Sequence, residues 1–116
     1  MKQLIELARG LPIKEDSENF RRINHAIYFG HILLIKEHGR IVGYAEVYRV
    51  KESPAYPVTP WPIDDPAGKI LYCWAAACEK GYIKKLIDLA KRTFPEVNFI
   101  CWHRHKRNNK IHLERV

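Results

Sequence analysis

Apolar and polar residues alternate most regularly between positions 31 and 50. Residues 31–36 and 41–50 are rich in Ile, Leu, Val and Tyr, and Glu37-His38-Gly39-Arg40 between them has the composition of a hairpin turn. Two antiparallel strands are expected. On the second, Val42, Tyr44, Glu46 and Tyr48 share one face, and Ile41, Gly43, Ala45, Val47 and Arg49 share the other. Residues 70–77 are almost wholly apolar or small, as in a strand buried on both faces. The period then changes, with Ile83, Leu86, Ile87 and Ala90 at helical spacing and Gly81 at the joint. Arg92-Thr93-Phe94-Pro95 ends that helix, and residues 97–103 form another strand, parallel to 70–77 across a right-handed crossover. Arg107-Asn108-Asn109-Lys110 tolerates positive φ, so residues 110–115 fold back as a last antiparallel strand.

The ends and the middle are read from weaker patterns. Leu4, Ile5 and Leu7 or Ala8 fit a short amphipathic helix stopped by Gly10 and Pro12, or an edge strand. Asp16-Ser17-Glu18 supplies capping chemistry for a helix to about Tyr28, with Phe20, Ile23, Asn24 and Ile27 at its spacing and Arg21 and Arg22 on its solvated outer face. Residues 51–67 carry prolines at 54, 57, 60, 62 and 66, which exclude a helix or a central strand. With Tyr56 and Trp61, that connection is either a lid over a site or a packed crossover.

The chain has 116 residues, 47% of them hydrophobic and 28% charged, which suits one core: a single α/β domain over 1–116. The apolar runs are too short to span a bilayer, and the charged N-terminus differs from a signal peptide, so no membrane and a cytoplasmic location are expected. Three cysteines without a repeating spacing point to buried free thiols. Lys and Arg number 20 against 13 acidic residues, a net charge of +7 that favours a polyanionic or phosphate-bearing partner. Much of that excess lies in residues 103–116, where five Lys or Arg and three His face the single Glu114.

Several residues are candidates for chemistry. Gly81 lets the backbone approach an anion over the first turn of the helix that follows. Glu46, among tyrosines, is either a proton acceptor with a raised pKa or a surface glutamate. Tyr72 and Cys73 on the buried strand and His103 at the end of the parallel strand are further candidates, each also explicable as packing or as a hydrogen-bonded surface group. Cys78, Cys101, His103 and His105 lack zinc-ligand spacing, and no metal is expected. The basic hairpin 103–116, with Arg104, Lys106, Arg107, Lys110 and Arg115 and with Trp102 and His112 among them, offers an alternative reading as a nucleic-acid-binding module.

The order helix, hairpin, connection, buried strand, glycine turn, helix and strand, with Gly39-Arg40-Ile41-Val42-Gly43-Tyr44-Ala45-Glu46 as its best sequence match, resembles the GNAT-type N-acetyltransferase superfamily over residues 16–105. The resemblance implies a mixed, mostly antiparallel sheet with flanking helices and an acyl-CoA-dependent N-acyltransferase acting on an amine acceptor. A homodimer is also allowed. The family holds the pyrophosphate of acetyl-CoA on a Gln/Arg-x-x-Gly-x-Gly/Ala loop after its central strand. Here the loop is Cys78-Glu79-Lys80-Gly81-Tyr82-Ile83, in which Gly81 matches while Cys78 and Ile83 replace the family's residues. The implied cofactor set is the backbone of Trp74, Ala76 and Cys78 for the thioester arm, and Lys80, Gly81, Tyr82, Ile83 and Lys84 for the pyrophosphate. The helix that carries the family's usual tyrosine acid has no counterpart, which leaves Glu46 and Tyr72 to assist proton removal. The small size, basicity and altered loop suit a minimal member from a phage or mobile element.

Overall fold

Two residues reverse the chain at the hairpin. His38 (φ 53°) and Gly39 (φ 74°) both lie in the left-handed region, the conformation of a tight turn whose twist matches its strands. They join β1 (Ile32–Glu37) to β2 (Arg40–Val50). The computed structural model describes residues 1–11, 15–53, 63–104 and 110–116. Ahead of the hairpin stand α1 (Lys2–Ala8) and α2 (Asp16–Tyr28); after it come β3 (Ile70–Cys78), α3 (Ile83–Thr93), β4 (Phe99–Arg104) and β5 (Lys110–Arg115).

Among the described residues the strands form one mixed sheet in the order β1-β2-β3-β4-β5. Three of its four pairings are antiparallel, and the β3–β4 pair is parallel, as the crossover through α3 requires. The radius of gyration, 13.3 Å, is that of a compact globule, about 13 Å for this length. None of the described helices is long and apolar enough to cross a membrane.

Each face of the sheet has its own core. Leu33, Ala45, Val47, Leu71 and Ile100 pack under Leu86 and Ala90 of α3, with Val97 beside them. On the opposite face Leu4 and Ala8 of α1, Leu11 just after that helix, and Ile23 of α2 meet Tyr44 and Ala75. β2 is buried on both sides from Val42 to Tyr48, because helices cover both faces of the central strands. After β2, the chain is tied back by Asp64, which accepts from the Arg49 N–H at 2.7 Å and from its guanidinium at 2.6 Å.

α2 departs from the sequence expectation in three ways. Its buried residues are Asn19, Arg22, Ile23 and Ala26, whereas Phe20 and Ile27 are half exposed and Asn24 is exposed. Arg22 is therefore not on a solvated face. It turns inward because Glu46 and Tyr44 on β2 offer it acceptors that outweigh burial of the apolar stripe. The acidic start does not cap the helix: Glu15 is the N-cap without a side-chain bond, and Asp16 instead accepts two hydrogen bonds from Arg9. The proline-rich expectations at 54–62, with Tyr56 and Trp61, lie outside the described residues.

Candidate functional site

An interruption in β3 builds the site. Glu46 pairs with Ala75 and Val47 with Cys73, so Trp74 is an extra residue bulged out of the ladder. The parallel ladder to β4 ends at the same place, at Cys73–Trp102, although both strands continue. Beyond that point the two strands share no pairs among the described residues, which leaves a gap in the pairing between Trp74–Cys78 and the end of β4.

Hydrogen-bond alternation shows which groups face the gap. The Glu79 N–H donates to the Val42 carbonyl at 2.8 Å, so Glu79, Ala77 and Ala75 direct their backbone groups toward β2. Ala76 and Cys78, one step out of phase, direct theirs toward the gap. These are two of the three strand residues expected to hold a thioester arm, and the third, Trp74, is the bulge itself.

At the end of β3 the chain turns through Gly81 (φ 94°), where a Cβ would meet nothing within 4 Å and the left-handed backbone favours glycine. Among the described residues no side chain caps α3, and Leu86 is the first residue to bond back, to Tyr82 O at 3.0 Å. The N–H groups of Ile83, Lys84 and Lys85 are thereby left at the helix start without a capping side chain. Lys80 and Lys84 are exposed beside them. Lys85 is engaged, donating to Glu37 at 3.0 Å, and Arg40 pairs with Glu79, cancelling the carboxylate nearest the turn. Ile83 is 54% exposed and stands at the rim of a cavity.

That cavity has a volume of about 200 Å3 and lies between α3 and the sheet, reaching from Trp74, Trp102 and His103 to Leu71, Ile100 and Ala90. Its space comes from small side chains, Ala45, Ala75, Ala76 and Ala90, where larger residues would fill it.

Glu46 and Tyr72 face away from α3. Glu46 is fully buried, and its Oε2 accepts from Arg22 Nε at 2.7 Å, while Arg22 also donates to Asn19 Oδ1 at 2.8 Å and Tyr44 Oη at 3.1 Å. Burial pushes the Glu46 carboxyl above its ordinary range, partly opposed by the guanidinium beside it. Its Oε1 and the Tyr48 hydroxyl are buried with no hydrogen-bond partner among the described residues. Burial also raises Tyr48, to about 12. Tyr72 is buried, and its ring meets His103 edge-on at 5.6 Å; His103 also borders the cavity. The charge network of Arg22, Asn19 and Tyr44 was not legible from spacing, since Arg22 and Glu46 are 24 positions apart.

Among the described residues no three His, Cys, Asp or Glu side chains gather as a metal site would require. Of the basic hairpin, Lys110 and Arg115 are exposed, Lys106 and Arg107 lie outside the described residues, and Arg104 is described only as the last backbone position of β4. The comparisons add no relative: no family model, curated protein or solved structure matches the chain.

Proposed function

We propose that the protein is an acyl-CoA-dependent N-acyltransferase of the GNAT type, transferring an acyl group to an amine. The observation that carries this reading is the gap in the middle of the sheet, with the Ala76 and Cys78 backbone facing it and the Gly81 turn at its end. An opened strand edge satisfies an extended, amide-bearing ligand as a neighbouring strand would. The pantetheine arm of CoA is such a ligand, and its pyrophosphate suits the N–H groups and lysines at the start of α3.

Each residue then has a part. The Gly81 backbone leaves room for phosphate, and Lys80 and Lys84 add charge to the seat. Ile83, half exposed, stands where the family has a small residue. In this reading the carbonyl of the donor would lie by the bulge at Trp74, at the inner end of the gap. When bound, an acyl-CoA supplies an activated thioester: the amine attacks its carbonyl carbon, the C–N bond forms, the C–S bond breaks, and the thiolate leaves. In this reading His103, at the border of the cavity with the Tyr72 ring edge-on behind it, takes the proton the amine sheds and returns it to sulfur. Glu46, held by Arg22, fixes β2 against α2 behind them.

A melting-temperature titration with CoA and acetyl-CoA tests the reading. With ligand at about a hundred times its dissociation constant, the folded state gains about 2.7 kcal/mol, a rise of several degrees. An unchanged melting temperature at millimolar concentrations of both ligands refutes it.

A further inference from the structure

The cavity beneath α3 extends past the gap, and an acetyl group reaches little of it. We propose that the acyl group this protein takes is an aliphatic chain of about six to eight carbons, lodged between α3 and the sheet; the inference rests on the acyl-transfer reading. A cavity of about 150 Å3 lined by aliphatic side chains holds benzene, six carbons. This one, at about 200 Å3, has room for about a third more.

Its walls select for chemistry as well as size. Ala45, Val47, Leu71, Leu86, Ala90 and Ile100 line it, each at most 5% exposed. None offers a side-chain hydrogen bond, so a polar acyl group would lose its hydration without replacement. The nearest polar side chain on β3, the Cys73 thiol, is turned to the Ala75 carbonyl of its own strand at 3.6 Å. His103 and the two tryptophans border the end nearest the gap, where the thioester lies in the transfer reading. An aliphatic chain entering there passes from the wet rim to a floor formed by Leu71, Ile100 and Ala90.

Calorimetric titration of the full chain with CoA and its acetyl, hexanoyl, octanoyl and palmitoyl thioesters tests this. Each carbon added inside the cavity strengthens binding about fourfold, so octanoyl-CoA binds at least about a hundredfold more tightly than acetyl-CoA, with no further gain at palmitoyl. The A90F variant fills the floor, and the octanoyl-to-acetyl ratio falls to within about threefold. Because A90F adds bulk to a packed core, Ile100→Val provides a milder change of opposite sign, moving the preferred length up by about one carbon. Equal affinity for acetyl- and octanoyl-CoA overturns the chain-length proposal and leaves acyl transfer standing. Failure of CoA and every thioester to bind overturns both.

Discussion

Replacing Arg22 by Met removes the only charged partner that a fully buried carboxylate, Glu46, has among the described residues. The side chain is nearly isosteric along its stem, so the change acts mainly through Nε and its 2.7 Å bond to Glu46, with the bonds to Asn19 and Tyr44 lost alongside. Breaking a buried pair from one side costs about 3–5 kcal/mol, a large share of the about 5–15 kcal/mol that a domain of this size holds in reserve. The cost depends on pH, and its sign is fixed by the raised pKa of Glu46. A carboxyl whose folded pKa lies above its unfolded one stabilises the fold most when protonated, and that contribution is lost as pH rises through the folded value. Removing the guanidinium raises the folded pKa further, so the deficit of R22M grows with pH by about 1.4 kcal/mol per unit between the wild-type and variant values. Urea unfolding followed by tryptophan fluorescence is expected to give a deficit of about 3–5 kcal/mol at pH 7.5 and a smaller one in acid, where Glu46 is protonated in both proteins and the lost hydrogen bonds dominate. Pairing R22M with Glu46→Leu restores the variant to within about 1 kcal/mol of wild type or better. A deficit that is the same in acid as at pH 7.5, or below about 1 kcal/mol at pH 7.5, refutes the reasoning.

Two further outcomes follow from packing. Cys101 is buried and Cys73 and Cys78 are part-buried; burial pushes the Cys73 thiol up to about 12 and the Cys101 thiol up to about 11 and raises Cys78 less, so alkylation of native protein at pH 8 modifies Cys78 first, as peptide mass spectrometry will show. Equal labelling of all three contradicts this. At Gly68 a Cβ would come within 2.7 Å of the Val50 backbone nitrogen and carbonyl oxygen, so Gly68→Ala lowers stability by about 1–3 kcal/mol, measured by urea unfolding, and a neutral result shows that the return of the chain beside β2 is looser than described.

The elements were readable because their signals are local. The His38-Gly39 turn, the apolar run of β3, the period of α3 and the return of β5 all rest on neighbours within a few residues. Which face α2 buries was not, because a partner across the fold decided it: Glu46 draws Arg22 inward at the expense of Phe20 and Ile27. The bulge at Trp74 was hidden for a related reason, since Ile70 to Cys78 reads as uniform strand and only its pairing with β2 reveals the extra residue. The cavity had a signal in the run Ala75-Ala76-Ala77, but its depth depends on Ala45 and Ala90 from other elements.

The central claim concerns the gap between β3 and β4, and amide hydrogen exchange with and without a thioether analogue of acyl-CoA tests it residue by residue. Ala75 and Ala77, whose backbone groups face β2, are expected to exchange at unchanged rates. Ala76 and Cys78 are expected to slow about tenfold, as one new hydrogen bond each would produce. Unchanged exchange at Ala76 and Cys78 with saturating analogue bound would contradict the placement of the ligand along β3.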